Sequence, residues 1–207
     1  AINRKGFLAM GASYAGGFIR ADPAAATPDI QAQIIMFSGE SPADGPHPFS
    51  GCTIVCALLR PESRGHVRIL SPDPFAKPDI QPNYLAEQKD RDVIVAGLKA
   101  ARRIMSQPAV QPFLEAEHEP GPDCVSDAEI LEYIRERGRT SFHPTSTCRM
   151  GMDDTAVVDE RLRVRGIQGL RVCDASIMPA LVSGNTNAPS IMIGEKGADM
   201  ILEDAAG

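Results

Sequence analysis

The chain has 207 residues and a net charge of −6 at pH 7; 43% of its residues are hydrophobic, 5% are aromatic and none is Trp. This length is enough for one large domain or for parts of two, and the apolar content is enough for a core. The acidic balance, without a long basic run, argues against nucleic acid or an anionic membrane as a partner. The scarcity of aromatic residues argues against an aromatic cage or a platform on which bases stack.

Cysteine usage indicates a reducing environment. The five cysteines are odd in number and lie mostly in apolar or strand-like segments, whereas a disulfide scaffold normally has an even, closely framed set. We therefore expect a cytoplasmic location. Cys52 and Cys56 have no matching second pair, so no zinc site is expected, and no other motif indicates a metal.

Neither a membrane anchor nor a targeting signal is expected from the pattern. The longest apolar run, residues 54–59, is too short to span a bilayer, so no transmembrane segment is expected. The first residues do not form a signal-peptide pattern. The chain begins without Met, and we expect it to be a fragment.

In chain order, the first third of the sequence is dominated by strand and loop signals. Residues 1–28 are glycine- and alanine-rich and predict loops with at most short strands. Residues 30–37 are typical of a strand, and residues 38–50 predict a long loop. Residues 51–60 predict a central strand that pairs, across a short turn, with residues 65–70.

Two helices are predicted in the middle of the chain, after an irregular, proline-interrupted stretch at residues 73–82. Residues 89–105 have apolar side chains at helical spacing, with Gly97 at a position of close packing, so this helix is expected to cover a sheet. A capping box beginning at Ser126 predicts a second helix that ends at Gly138.

This order of elements favours an α+β fold, with an antiparallel sheet covered by helices on one face. Strands are concentrated early, helices lie between and after them, and there is no repeated strand–helix–strand period. The glycines of residues 11–16 are wrongly spaced for a dinucleotide fingerprint and do not follow a strand, so that fingerprint is absent.

Two motifs in the last third of the sequence contain the candidate chemistry, at residues 141–151 and 183–190. Residues 170–179 lie between them and predict a buried strand that runs into a turn. A helix is predicted from near Pro189 to Leu202. Its first turn would face His143 and would offer unpaired N–H groups to an electron-rich ligand edge.

Together these motifs resemble the carboxy-terminal part of the glucose-methanol-choline (GMC) flavin oxidoreductases, especially the choline-dehydrogenase-like alcohol dehydrogenases. A weaker likeness upstream, at residues 28–31, 63–65 and 82–85, extends the resemblance over nearly the whole chain. Several linked motifs in the right order make the signal specific. The stronger likeness lies in residues 143–144, 147–151, 157–159, 162–164, 166–167, 169–172, 174–176 and 184–189.

The resemblance implies two parts of the chain and a cofactor, FAD. Residues 1–140 would form the substrate-binding domain. Residues 141–207 would supply catalytic loops and the segment that returns to the FAD-binding domain, with a strand around Val172 and the helix after Asn187. Most of the FAD site would lie in an amino-terminal half that these 207 residues lack, so the chain alone is expected to be inactive.

The same resemblance implies catalytic roles for His143 and Asn187. An imidazole is the side chain best suited to removing a hydroxyl proton near neutral pH. His143 would take this proton while the hydride passes to flavin N5, and Asn187 would donate a hydrogen bond to the substrate oxygen. The simpler alternatives are a histidine that caps the next turn and an asparagine that caps the helix.

Further residues would contact the flavin. Asp174 and Ala175 would lie against its ribityl and diphosphate portion, although Asp174 could instead simply form a turn. Contacts to the isoalloxazine ring are implied for five residues: Asn185, Thr186, Ala188, Pro189 and Ser190. No metal is implied.

Two other functions remain open. A truncated, non-enzymatic product could act as a protein-interaction module, and a hydroxynitrile lyase could use the same fold. The expected partner is a small-molecule alcohol, with choline one candidate among aliphatic, aromatic and polyol alcohols. The acceptor that reoxidises the flavin is open between oxygen, a quinone and another carrier.

Overall fold

The computed structural model describes residue 11 and residues 13–39 and 45–206. Parts of the predicted loops at 1–28 and 38–50 therefore lie outside the described residues. The chain divides into two compact units. The first consists of residues 1–59 and 87–139, and the second of residues 60–86 and 140–207.

An antiparallel three-stranded sheet forms the base of the first unit. Its strands are β1 (Ser13–Ile19), β2 (Ile30–Ile35) and β3 (Thr53–Leu58), in the order β1-β2-β3. Ile30 of β2 lies opposite Ile19 on one side and Leu58 on the other.

Two sequence predictions about this sheet are wrong. The central strand is β2 and not the segment at residues 51–60, which lies at an edge within the described sheet. Strand β1 spans seven residues, which is longer than the short strands expected at most among the loops of residues 1–28. Its glycines weaken the apolar pattern, but Gly16 permits the close pairing, because a Cβ there would lie 2.8 Å from the Ala32 oxygen.

Helix α1 (Gln88–Met105) covers this sheet, as predicted. Ile30 is fully buried and packs with Ala21 and Val93. A Cβ on Gly97 would lie 2.9 Å from Ile30 Cδ1, so a glycine at this point lets the helix approach the central strand. The predicted close-packing position is confirmed.

Helix α2 (Asp127–Arg137) begins and ends where local signals predicted. The Glu129 N–H donates to Ser126 Oγ at 3.3 Å, and the Ser126 N–H donates to Glu129 Oε2 at 2.8 Å, which completes the capping box. Gly138 follows the last turn. A short 3-10 helix, Gln111–Phe113, lies between the two long helices.

The second unit has its own small sheet, formed by β4 (His66–Arg68) and β5 (Asp79–Gln81). The prediction that residues 65–70 pair with the preceding strand is therefore wrong. Gly65 explains the observed pairing, because a Cβ there would lie 2.0 Å from the Gln81 oxygen. The two backbones come close enough to exclude any side chain at that position.

The remainder of the second unit packs around a fully buried Val158. Isolated bridges join Met150 to Val158, Val158 to Val164, and Arg163 to Arg171. A 3-10 helix, Ala175–Ile177, and helix α3 (Asn187–Ala206) complete this unit. The core contains Val158, Leu162, Ile177, Met178 and Ile193.

The helix predicted after Asn187 is confirmed, whereas the buried strand predicted around Val172 forms only the bridge at Arg171. Positive φ angles at Gly166 and Gly169, 78° and 73°, turn the chain just before this run. The run meets the preceding segment through two backbone hydrogen bonds, from the Val172 N–H to the Leu162 oxygen at 3.1 Å and from the Val164 N–H to the Leu170 oxygen at 2.9 Å. These flank a single bridge, which is too short for a strand. The α+β fold class with antiparallel sheets is confirmed.

In the part of the chain that the structure describes, none of the helices combines the length and the apolar character that crossing a bilayer requires.

Candidate active site

Backbone hydrogen bonds attach the first motif to the core of the second unit. The N–H of Cys148 donates to the Ser176 oxygen at 3.0 Å, and the N–H of Met150 donates to the Ile177 oxygen at 2.8 Å. Ile177 is buried in the core around Val158. The segment that follows His143 is therefore held against the 3-10 helix.

An ion pair reinforces the end of this motif. Arg149 Nη1 lies 2.9 Å from Asp153 Oδ2, and Arg149 Nη2 lies 2.5 Å from Asp153 Oδ1. Hydrogen bonds from Arg149 and Thr155 hold the pKa of Asp153 well below its usual range. Arg149 thus has a structural role at the end of this motif.

The backbone around His143 adopts an uncommon conformation. Phe142 has a φ of 59° and Ser146 a φ of 74°, in the left-handed region that non-glycine residues rarely occupy. Such positions concentrate at functional sites, where the surrounding structure holds the strained residues in place. The two turns aim the His143 side chain toward the segment that precedes α3.

Side chains of the second motif contact both ring nitrogens of His143. Asn185 Nδ2 lies 2.8 Å from Nε2, and Thr186 Oγ1 lies 2.8 Å from Nδ1. His143 is half-buried, Asn185 is exposed, and Thr186 is 8% exposed. The structure therefore brings the two sequence motifs together through these three side chains.

Asn187 is the first residue of α3, so the position before the helix is occupied by Thr186. The Asn187 side chain is exposed, and within the described residues it has no hydrogen-bond partner. The N–H groups of Asn187 and Ala188 likewise meet no acceptor in the described residues, as expected for the first turn of a helix. Ser190 already has a hydrogen-bond partner, because its N–H and Oγ donate to the carbonyl oxygen of Thr186 at 3.0 and 2.7 Å.

Asp174 caps the 3-10 helix. Its Oδ1 accepts hydrogen bonds from the Ser176 N–H at 2.7 Å and from Ser176 Oγ at 2.5 Å. Asp174 is exposed, and its Oδ2 has no partner among the described residues. The turn-forming role that was an alternative for Asp174 is thus present, with one carboxylate oxygen left over.

The remaining predicted site residues lie near the start of α3 or in the 3-10 helix. Ala188 is exposed, and Pro189 and Ala175 are half-buried. Sequence reasoning assigned Asn185 and Thr186 to a cofactor and did not connect them with His143. The spacing of 42 and 43 residues gave no signal of these contacts, although a threonine directly before a helix is a typical cap.

The charged cluster at the other end of α3 is a separate feature. Asp204 forms ion pairs with Arg161, Arg163 and Arg171. A hydrogen bond from Arg163, followed by that from Arg171, lowers the pKa of Asp204 to about 2. A cavity of about 420 Å³ borders this cluster, and none of its lining residues belongs to the two motifs.

Comparisons with known proteins show which family the chain resembles. A family model described as GMC oxidoreductase, for the carboxy-terminal domain, matches residues 61–194. An alcohol dehydrogenase [acceptor] of Pseudomonas putida is 43% identical over 206 residues, covering 97% of this chain and 36% of the relative. An oxygen-dependent choline dehydrogenase of Klebsiella pneumoniae is 46% identical over 191 residues, covering 90% of this chain and 34% of the relative.

The fold is also similar to that of a solved structure. A formate oxidase of Aspergillus oryzae, studied for modification of its FAD, superposes with a TM-score of 0.79 at 32% identity. The match covers 86% of this chain and 32% of the oxidase. The chain thus spans about a third of the length of the curated relatives it matches.

Proposed function

Because the chain belongs to the GMC oxidoreductase family, we propose that it supplies substrate-binding and catalytic residues to an FAD-dependent enzyme that oxidises an alcohol to an aldehyde or ketone. The observation that supports this most strongly is the placement of His143. Its imidazole lies between Asn185 and Thr186, directly before the first turn of α3. A base is thereby placed next to a helix start that offers hydrogen-bond donors.

His143 is the proposed general base. Removing the hydroxyl proton prepares an alcohol to lose a hydride from its carbon, and an imidazole can accept that proton near neutral pH. Asn187 is the proposed donor to the substrate oxygen, because its amide is exposed and unused within the described residues. An amide donor stabilises the negative charge that develops on this oxygen as the proton leaves.

The groups near His143 fit a flavin. Asn187 and Ala188 offer two unused N–H groups at the positive end of a helix dipole, which suits an electron-rich ring edge. The small side chains of Ala175 and Ala188 permit close approach, and Asp174 Oδ2 can accept a hydrogen bond from a hydroxyl. Bound FAD would supply the acceptor for the hydride. The proposed contacts of Asn185, Thr186, Pro189 and Ser190 surround the same helix start.

The two parts of the chain would have different tasks. We propose that residues 1–140 form the substrate-binding domain, and that residues 141–207 form the catalytic loops and the carboxy-terminal segment of the FAD-binding domain. An amino-terminal FAD-binding half would be the partner, in the cytoplasm. The substrate would be a small alcohol, and the names of the relatives mention an alcohol and choline.

A chimera tests this proposal. The amino-terminal part of the Pseudomonas putida alcohol dehydrogenase would be joined to this chain in place of the matching segment, and the purified protein would be examined for a visible flavin band. Anaerobic addition of choline, aliphatic, aromatic and polyol alcohols should bleach the band with at least one of them.

Two results would contradict the proposal. One is a flavin-loaded chimera that none of these alcohols reduces. The other is a chimera that cleaves a cyanohydrin while its flavin band stays unchanged, which would indicate a hydroxynitrile lyase. The chain without the added half serves as the control and should not oxidise alcohols.

A further inference from the structure

We propose that Thr186 and Asn185 are positioning residues that hold the neutral His143 ring with its proton on Nδ1 and its lone pair on Nε2. The positions of His143 and Thr186 are fixed by contacts other than the hydrogen bonds to the His143 ring. His143 is on a loop tied to the core, and Thr186 is nearly buried at the start of α3. The catalytic use of Nε2 rests on the proposed function, whereas the choice of protonated nitrogen does not.

The hydrogen-bonding capacities of the three side chains determine this tautomer. An amide nitrogen only donates hydrogen bonds, so Asn185 Nδ2, at 2.8 Å, requires an unprotonated Nε2. A neutral imidazole has one protonated nitrogen, which must then be Nδ1. This N–H points at Thr186 Oγ1, at 2.8 Å, which can accept it. The hydrogen bond made by one ring nitrogen thus fixes the state of the other.

Thr186 is suited to a permanent contact. The residue is only 8% exposed, and its carbonyl oxygen accepts hydrogen bonds from both the N–H and the Oγ of Ser190. The hydroxyl therefore has little freedom to leave Nδ1. When Nε2 gains a proton, the Nδ1–H remains, so the contact with Thr186 persists and becomes a charge-assisted bond.

Asn185 is suited to an exchangeable contact. Its side chain is exposed, and it donates to the same lone pair on Nε2 that a substrate hydroxyl would need. An entering alcohol would replace the amide as the donor to Nε2. Asn185 thus keeps the ring in the correct tautomer and orientation until a hydroxyl group takes its place.

Nuclear magnetic resonance of the 207-residue chain tests the assignment without flavin or alcohol. Long-range proton–nitrogen correlations of His143 distinguish the protonated ring nitrogen from the unprotonated one. Spectra would be recorded above about pH 8, where an ordinary imidazole is neutral. The unsubstituted chain should have its proton on Nδ1.

Three variants separate the two contacts. Thr186→Val removes the hydroxyl at nearly constant volume. Asn185 still requires an unprotonated Nε2, so the proton should stay on Nδ1 but exchange faster with water, whereas the matched control Thr186→Ser keeps the hydroxyl and should exchange as slowly as the parent. Asn185→Asp replaces the donor by a carboxylate, which only accepts hydrogen bonds, and should place a proton on Nε2. Unchanged amide signals of α3 would show that each variant is folded.

A proton on Nε2 in the unsubstituted chain would overturn the proposal, as would an Nδ1–H that exchanges with water no faster in folded Thr186→Val than in the parent. If Thr186→Val does not fold, an Asn185→Asp chain in which Nε2 stays unprotonated would overturn it instead. A confirmed Nδ1–H tautomer together with an inactive chimera would refute the proposed function and leave the positioning roles intact.

Discussion

Gly197 lets helix α3 pack closely against Cys173, and replacing it by alanine is expected to destabilise the second unit. A Cβ on Gly197 would lie 2.8 Å from Cys173 Sγ and 3.1 Å from Cys173 Cβ. Both distances are shorter than a normal van der Waals contact. Gly194 lies on the same helix, is exposed, and has no atom within 4 Å of its corresponding Cβ.

These distances give a magnitude. Alanine is favoured over glycine in a helix interior by about 1 kcal/mol. Overpacking of a closely packed site costs about 1–3 kcal/mol. Gly194→Ala should therefore raise the free energy of unfolding by up to about 1 kcal/mol, because only the helix preference applies there. The free energy of unfolding of Gly197→Ala should be about 1–3 kcal/mol lower than that of Gly194→Ala. Both variants share the helix preference, so the difference between them reports the overpacking at Cys173.

Urea unfolding with a reporter in the second unit measures this difference. The methyl signal of Met200, which packs against the core of this unit, would be followed in both variants. Adding Cys173→Ala to Gly197→Ala removes the Sγ atom and should recover part of the loss. If Gly197→Ala stabilises the unit as much as Gly194→Ala does, the packing argument is refuted.

Two further predictions concern a helix cap and an ion-pair cluster. Ser126→Ala removes the cap of α2 and should lower the free energy of unfolding by about 1 kcal/mol in urea titrations; an unchanged value would mean that the Ser126–Glu129 capping box contributes no net stability. Asp204→Asn should lower the melting temperature near neutral pH. Because the folded pKa of Asp204 is about 2 and an ordinary Asp titrates near about 3.9, its contribution is present above about pH 4. The difference between variant and parent should vanish as the pH falls toward 2, and a constant difference would contradict the assignment to Arg163 and its neighbours.

Helices α1 and α2 were predictable because their signals are local. Apolar spacing defined α1, and the side chains of Ser126 and Glu129 cap α2 only three residues apart. The close approach at Gly97 also followed from its position on the apolar face. These features depend on residues that are close in the sequence, so a short segment is enough to predict them.

Strand pairing was less predictable because it depends on distant partners. The segment at residues 51–60 has the stronger apolar signal, yet β2 lies between β1 and β3. The glycines of β1 weaken its apolar pattern, and this strand forms by pairing with β2. Gly65 permits the pairing of β4 with β5, which the prolines between the two strands made hard to predict from the sequence. Alternating apolar residues indicate a strand but do not identify its neighbour.

At the site, the sequence identified the two motifs and not their contacts. His143 and the start of α3 were both recognised, and their proximity was expected. The bonds from His143 to Asn185 and Thr186 depend on how two loops close over more than 40 residues. The predicted role of Asn187 in catalysis stays a prediction, since its side chain is exposed and directed at no described partner.

The most direct test of the account is the rate of anaerobic flavin reduction by an alcohol in the chimera, with and without His143→Ala. Loss of a general base should slow this step by about 10²–10⁴-fold, while the visible flavin band shows that the cofactor is still bound. The slowing should be smaller at high pH, where hydroxide and the ionised alcohol replace the missing base. A His143→Ala chimera that is reduced as fast as its parent would contradict the central claim that His143 removes the alcohol proton.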